Sequence, residues 1–357
     1  MPELDPPPSP GGIPRLSLAL GLTVAVFAAF VSLGGPVQLL NPAAGVWFTE
    51  LIVFFGFPFV VLGGLGRPPA RVTGLDSATP ASIGLGAAMG LFNYAGWAVP
   101  LMAAAQRAFP RELLERFDGA QLFANQSTLE RVVFVSGISL AAPVCEEFFF
   151  RGVVQRGLMS KLSPPVAIVV TAVLFSGFHL DPVGFAARLE LGVLFGLLAW
   201  RSGSLWPGIA AHAVNNAVAT VLFLFSQGAE ESEVPLKLLV ALALVGNVGL
   251  LGFARLAHGR LLAPHPAEDE AVAPPVPLWR GALPFLLTGA LVVSLVTTLD
   301  WRGVTLRLYD ATHPLPKELA SAPELVTLRA RARAGEVPLE EYYDARSLMT
   351  PARHERN

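Results

Sequence analysis

The sequence predicts an all-α, polytopic membrane protein, a transmembrane helical bundle of about eight to nine spans with a polar intramembrane cavity. Two observations predict this class. Hydrophobic residues make up 53% of the chain and charged residues only 15%, with a mean hydropathy of +0.55, a balance outside the soluble globular range. Several apolar stretches are also about 20 residues long, the length that crosses a bilayer.

The charge balance and the cysteine content exclude several other classes. The net charge is -2 over 357 residues, so nothing indicates nucleic-acid binding. The single cysteine, Cys145, excludes an intramolecular disulfide and a multi-cysteine zinc site. Its apolar sequence neighbours disfavour the reactive thiolate, so we expect Cys145 to pack in the core rather than act as a nucleophile.

Nine apolar stretches are the candidate spans. They are residues 16–34, 44–65, 81–105, 129–159, 165–180, 183–200, 207–225, 236–256 and 282–299. The fourth is longer than one bilayer crossing, so it must tilt, kink at Pro143 or emerge into water. With nine spans, the loops on the N-terminal side hold slightly more Lys and Arg than the opposite loops. This excess favours a cytoplasmic N-terminus and an external C-terminal tail.

Three other stretches are polar. Residues 1–14 are acidic and proline-rich and predict a disordered lead into the first span. Residues 107–130 predict an interfacial amphipathic segment. Residues 300–357 are too few for a substantial domain core, so they predict one or two helices that lie on the body or are partly disordered.

Residues 141–158, AAPVCEEFFFRGVVQRGL, place two adjacent glutamates and an arginine inside an apolar helix. Ionisable groups in a membrane span usually face a cavity or one another and mark a functional site. Glu147 and Arg151 are four residues apart, the spacing at which a carboxylate and a guanidinium pair on one helix face. Glu146 lies about 100° further round the helix. It has no partner on its own helix, which suits a general base that works near neutral pH.

Two later helices carry polar residues at helical spacing. Phe175 and His179 are four residues apart at the end of the fifth span, and His212 and Asn216 are four apart in the seventh. Asn215 faces elsewhere and is predicted to pack between helices. Unsatisfied histidine and asparagine side chains are costly in lipid, so polar residues on three helices predict one shared polar cavity.

A carboxylate, two histidines and an asparagine are compatible with two chemistries. In the first, Glu146 polarises a water molecule with help from His179, while His212 and Asn216 donate hydrogen bonds to the oxyanion of a peptide-hydrolysis intermediate. In the second, Glu146, His179 and His212 bind a zinc ion that activates the water. The sequence contains no HExxH motif. No cofactor is therefore required, and zinc or another divalent metal stays an alternative.

Three sequence motifs together resemble those of the CPBP family, the CAAX proteases and bacteriocin-processing enzymes. EEFFFR at 146–151, FSGFH at 175–179 and HAVNN at 212–216 match the EExxxR, FxxxH and HxxxN motifs of that family, in the same order. The resemblance implies an intramembrane endopeptidase of the kind that includes type II CAAX prenyl endopeptidases. It also implies an all-helical bundle around a water-filled conical cavity.

The motifs of the family also imply a role for each matching residue. Glu146 would be the base that activates water, assisted by His179, and His212 with Asn216 would form the oxyanion site. The supporting residues would be Glu147, Arg151 and Phe175. Some family members have been treated as metalloenzymes, so the metal question stays open. The resemblance implies a lipidated or membrane-anchored protein or peptide substrate in contact with the lipid bilayer.

On this basis the chain is predicted to have five parts. They are the disordered lead (1–14), the N-terminal transmembrane helices with the interfacial segment (15–127), the CPBP-like catalytic core (128–226), the C-terminal transmembrane helices (227–299) and the polar tail (300–357). We expect an integral, multi-pass protein of a bacterial inner membrane.

Two classes compete with the protease. A non-catalytic scaffold or regulator, similar to a bacteriocin-immunity protein, would use the same residues as a structural polar network. A transporter would use them as a proton relay. The transporter class is disfavoured because the sequence shows neither repeat symmetry nor paired broken helices.

Overall fold

The computed structural model describes residues 15–76, 79–123, 126–226, 234–258 and 276–349, and these residues form helices and the turns that join them. The predicted lead, 1–14, lies outside the described residues. In chain order the helices are α1 (Arg15–Leu40), α2 (Pro42–Gly64), α3 (Pro69–Thr73), α4 (80–108), α5 (Arg111–Arg116), α6 (Ala120–Phe123), α7 (Thr128–Met159), α8 (Pro164–Phe178), α9 (Phe185–Ser202), α10 (Trp206–Ser226), α11 (Leu236–His258), α12 (Leu278–Leu299), α13 (Trp301–Thr312), α14 (Lys317–Ala320), α15 (Pro323–Ala334) and α16 (Leu339–Met349).

The predicted all-α membrane bundle is confirmed, and each of the nine predicted spans corresponds to a helix. Among the described residues, five helices are long and apolar enough to cross a membrane by length and composition: α1, α2, α7, α10 and α11. Helix α8 and the segment Leu278–Leu291 of α12 are apolar but shorter. The exact number of crossings therefore stays a prediction.

The ends of the helices lie on two opposite sides of the bundle. On one side, Gly157 near the end of α7 lies against the start of α1, and Arg156 Nη2 donates to the Gly203 carbonyl after α9 at 2.6 Å. On the other side, Asn41 Nδ2 between α1 and α2 donates to Glu130 Oε1 near the start of α7 at 3.0 Å. Helices α1 and α7 are thus antiparallel.

Close helix contacts fix the position of α10. Gly86 and Gly90 on α4 lie against the α10 backbone at Pro207 and Ala211, so that a Cβ at either glycine would clash with it. Small residues that allow such an approach are typical of helix packing in membranes. The contact holds the stretch of α10 that includes His212.

Helix α7 contains two π-helical segments. Wider, π-helical turns occupy Gly137–Ala141 and Phe148–Gln155, and a regular α-helical segment, Ala142–Glu147, lies between them. Pro143 is the second residue of that segment and has no N–H group, so it cannot continue the hydrogen-bond pattern of the preceding turn. π-helical turns of this kind are frequent at functional sites.

Within the described residues 300–349, the C-terminal tail forms four helices with a core of its own, so the prediction of one or two helices was wrong. Apolar side chains from α13, α15 and α16 and from the turn before α16 bury one another. They are Leu306, Leu325, Ala332, Val337, Leu339 and Tyr342. Each of these helices is short and contributes only a few apolar residues. No helical periodicity was long enough to reveal them in the sequence.

A charged cluster joins the tail to the bundle. Glu130 in the first turn of α7 is 4% exposed, and Arg333 of α15 pairs with it and with Asp300, whose Oδ2 is 2.8 Å from Arg333 Nη2. Arg307 of α13 pairs with the same Asp300 oxygen at 2.9 Å, and its Nε donates to the Leu40 carbonyl at the end of α1. The tail is therefore held where α1 ends and α7 begins, on the side opposite to Arg15.

Acid is expected to weaken this attachment. Burial alone raises the pKa of Asp300, but hydrogen bonds and positive charge from Arg333 and Arg307 outweigh burial and hold the pKa of this carboxyl below its usual value. A carboxyl with a lowered pKa stabilises the folded state above its unfolded pKa, and this contribution is lost as the pH falls through the folded value. We expect the apparent melting temperature of the purified protein to fall below about pH 4.

The same cluster can be tested at neutral pH by Asp300→Asn, which should cost about 2 kcal/mol in the free energy of unfolding. Glu336→Gln is the matched control, because the Arg331–Glu336 pair is at least half exposed at 3.6 Å and such pairs contribute little. Equal melting temperatures for the two variants would contradict the proposed attachment.

Candidate active site

The predicted pairing of Glu147 with Arg151 is present and fully buried. Arg151 Nη1 donates to Glu147 Oε1 at 2.8 Å, and both side chains are 0% exposed. Arg151 Nη2 donates to the Gly192 carbonyl of α9 at 2.9 Å. A Cβ at Gly192 would press on Ala172 of α8, so the absence of a side chain lets α9 approach α8 closely. The ion pair thereby joins α7 to α9.

Two aromatic rings enclose the Arg151 guanidinium. Its central carbon lies 4.5 Å from the centroid of Phe175 on α8 and 5.3 Å from that of Phe195 on α9. Cation–π attraction of this kind is strongest where water is excluded. Phe175 was predicted as a supporting residue, whereas Phe195 was missed. The available signal was the pair Gly192 and Gly196, four residues apart, which marks a closely packed face but not its neighbours.

His212 of α10 lies beside both glutamates. Its Nδ1 is 3.2 Å from Glu147 Oε1, and its Nε2 is 3.9 Å from Glu146 Oε2. Because Glu147 accepts from Arg151 as an anion, we assign a proton to Nδ1, which then donates to Glu147. The ring stacks on Phe195 with centroids 4.8 Å apart. The sequence predicted that His212 shares a site with Glu146. It did not predict the bond from His212 to Glu147.

His179 lies at the end of α8. Its Nδ1 donates to the Phe175 carbonyl at 2.9 Å, which leaves Nε2 of the neutral ring as an acceptor. The next residue, Leu180, has φ 52°, a left-handed conformation that is costly for a non-glycine residue and that clusters at functional sites. The Phe175 ring is in contact with His179 and with His212, at centroid distances of 5.2 and 5.8 Å.

Asn216 is held by the first π-helical turn of α7. Its Nδ2 donates to the Ile138 carbonyl at 2.8 Å, and its Oδ1 accepts from Asn215 Nδ2 at 3.3 Å. None of the described hydrogen bonds joins Asn216 to Glu146, Glu147, His179 or His212. Asn215 is buried, as expected for a residue that packs between helices.

Glu146 differs from its neighbour because its carboxyl group is not neutralised by a close ion pair. It is 9% exposed, and its Oε2 has no hydrogen-bond partner among the described residues. The charged groups that interact electrostatically with it include His212, Glu147, Arg151 and Arg188. Arg188 pairs with Asp181 at 2.5 Å at the start of α9. The sequence motifs did not reveal Arg188 or Asp181, because neither is at a spacing that relates it to Glu146.

The predicted metal ligands do not form a three-ligand group in the described part of the chain. No three His, Cys, Asp or Glu side chains there are arranged to hold a metal ion. Of the three candidates Glu146, His179 and His212, each histidine uses Nδ1 for a bond to Phe175 or to Glu147 and keeps Nε2 available, an arrangement that metal-bound histidines also show. The zinc alternative stays a prediction, and no step below depends on it.

The fold and the site define a polytopic membrane protein with ionisable residues buried between its helices, a feature of membrane enzymes and transporters. Residues 128–218 match the family model described as type II CAAX prenyl endopeptidase Rce1-like, and this match supports the similarity of this part of the chain to the CPBP family of CAAX proteases. The matched segment is about a quarter of the chain and includes all three motifs. The family implies protease activity.

Two other comparisons gave no further relatives. No curated protein matches the chain. No solved structure matches it either.

Removal of the cation from the buried pair should destabilise the protein strongly. Arg151→Met leaves Glu147 as an uncompensated buried charge, which typically costs about 3–5 kcal/mol. We expect a lower apparent melting temperature and less protein in the membrane. The double variant Glu147→Gln, Arg151→Met removes both charges and should recover most of the loss. Equal instability of the single and the double variant would contradict the ion pair.

Proposed function

We propose that this protein is an intramembrane endopeptidase that hydrolyses a peptide bond near the membrane surface in a lipidated or membrane-anchored protein. The similarity of residues 128–218 to the CAAX-protease family supports protease activity in general. One observation carries the specific mechanism. Glu147 is bound by Arg151 at 2.8 Å and by His212 at 3.2 Å, whereas the ion-pair partner of the adjacent Glu146 among the described residues is His212 at 3.9 Å.

In the proposed reaction, Glu146 is the general base. It takes a proton from a water molecule whose oxygen attacks the carbonyl carbon of the scissile peptide bond. His179 assists, because its Nε2 can accept a hydrogen bond from the same water. Collapse of the tetrahedral intermediate breaks the C–N bond, and the proton held by Glu146 passes to the leaving amine. The products are a carboxylate and an amine, without any redox change.

His212 and Asn216 are the proposed donors to the oxyanion. Asn216 uses one N–H for the Ile138 carbonyl, and its amide nitrogen carries a second N–H. His212 uses Nδ1 for Glu147, so it donates from Nε2 when the ring carries both protons. A preorganised donor of this kind typically contributes about 3 kcal/mol to transition-state stabilisation.

The place of these residues in the fold supports a substrate that is bound to the membrane. Glu146 and His212 lie on helices that are long and apolar enough to cross a membrane. A substrate that is lipidated or membrane-anchored is already concentrated at the membrane in which these helices lie. The chain is an integral, multi-pass membrane protein, and we place it in a bacterial inner membrane. No nucleic acid takes part.

Loss of the base should stop trimming of the substrate. In cells that carry Glu146→Gln instead of the wild-type protein, at least one membrane protein should keep a segment that is otherwise removed. General-base catalysis contributes about 10²–10⁴-fold, so the untrimmed form should dominate. Comparative mass spectrometry of protein termini in purified membranes measures this.

Glu190→Gln is the matched control for that experiment. It makes the same carboxyl-to-amide change on α9. Glu190 accepts a hydrogen bond from Asn93 Nδ2 at 2.9 Å, and it has no described bond to Glu146, Glu147 or His212. Membranes that carry Glu190→Gln should show the same trimmed termini as wild-type membranes. The same set of termini in Glu146→Gln and wild-type membranes, at equal protein levels, would contradict the proposed function and favour the scaffold class.

The metal alternative has a direct test. We expect the purified protein to hold transition metals only well below one equivalent per chain, and to keep its activity after treatment with a strong chelator. Elemental analysis of the purified protein and trimming assays before and after chelation measure the two quantities. One tightly held equivalent, with activity lost on chelation and restored by that metal, would favour the three-ligand alternative.

A further inference from the structure

Glu50 is a second buried carboxyl group in the membrane bundle. It lies in a π-helical turn of α2, Thr49–Gly56, and is 6% exposed. Its Oε2 has no hydrogen-bond partner among the described residues. An acid in an apolar membrane helix is costly and marks a functional site more often than a structural one. None of the three sequence motifs includes Glu50.

The turn that carries Glu50 packs against the catalytic part of α7. It contacts the segment Ala142–Glu147, and one turn further along α2 the Phe54 ring lies 5.8 and 5.9 Å from the rings of Phe149 and Phe150. The Glu50 carboxyl group is close enough to interact electrostatically with Glu146 and with the Cys145 thiol. Cys145 itself is buried and free, as predicted.

Two neighbouring carboxyl groups in an apolar interior cannot both be charged at low cost, so we infer that one of them is neutral. A neutral carboxylic acid donates a hydrogen bond, whereas a carboxylate only accepts. The base that the proposed function requires is Glu146, which leaves Glu50 as the neutral partner. Each of the two groups has a buried oxygen free for a further hydrogen bond. A water molecule that bridges such groups holds them nearly as well as a direct bond.

We propose that Glu50 is a positioning residue for Glu146, a neutral acid that donates a hydrogen bond to a bridging water and so fixes the orientation of the catalytic carboxylate. This inference rests on the proposed function, since it gives Glu146 the role of base. Glu50 touches neither substrate nor the reacting atoms. Its effect is on the geometry of the base, to which reaction rates are sensitive: a misplacement of about 1 Å can cost about 100-fold.

The test compares two substitutions of nearly equal size. Glu50→Gln keeps a neutral group that donates and accepts hydrogen bonds, and Glu50→Leu removes all hydrogen bonding. Pulse-labelled membranes give the rate of trimming, per molecule of protein, at every terminus that depends on Glu146. We expect Glu50→Gln to stay within about 3-fold of wild type and Glu50→Leu to be about 100-fold slower. Glu190→Leu is the control for loss of an unrelated carboxyl and should stay near wild type.

Thermal unfolding separates positioning from a structural role. Leucine suits an apolar helix, and polar residues at active sites often reduce stability, so Glu50→Leu should melt at or above the wild-type temperature. A structural role predicts a lower melting temperature. Glu50→Met provides the same comparison if the leucine variant does not accumulate.

Each outcome decides the question. Wild-type trimming by Glu50→Leu would overturn the inference and leave the role of Glu146 intact. Equal slowing by Glu50→Gln and Glu50→Leu would also overturn it, because it would show that Glu50 must ionise or transfer a proton. Normal trimming by Glu146→Gln would instead contradict the proposed function itself.

Discussion

The buried ion pair between Glu147 and Arg151 is the interaction on which the rest of the site depends. A single charge at this depth would be strongly unfavourable, whereas each member of the pair neutralises the other and makes one further hydrogen bond to a neighbouring helix. Arg151 reaches the α9 backbone and lies between rings from α8 and α9. Glu147 reaches α10 through His212. One pair of charges therefore holds four helices, and these four carry all the proposed catalytic residues.

The pair also explains how one helix can carry two adjacent acids with different properties. Glu147 is enclosed and neutralised, so it is committed to structure. Glu146 is next to the same histidine at a longer distance, and no arginine or lysine forms an ion pair with it among the described residues. The difference arises from the neighbouring helices and not from the two residues themselves. Close approach of those helices in turn depends on Gly192 of α9 and on Gly86 and Gly90 of α4, where a side chain would separate the backbones.

The sequence predicted the features that depend on the spacing of residues along one helix. Long apolar stretches identified the helices, and the four-residue interval between Glu147 and Arg151 predicted their bond. The sequence could not show which side chains from different helices meet, because helical periodicity carries no information about the register between helices. For this reason it missed Phe195, the bond of His212 to Glu147, and the closeness of Glu50 to Glu146. The number of helices in the tail was underestimated for another reason, since each is too short for a recognisable pattern.

The central claim is the division of labour between the two adjacent glutamates. It is tested most directly by one comparison, in which Glu146→Gln and Glu147→Gln are purified in parallel and their apparent melting temperatures are measured. The account predicts that Glu147→Gln melts several degrees lower, because Arg151 becomes an unpaired buried charge, while Glu146→Gln melts at or above the wild-type temperature. Equal melting temperatures, or a larger loss for Glu146→Gln, would contradict it.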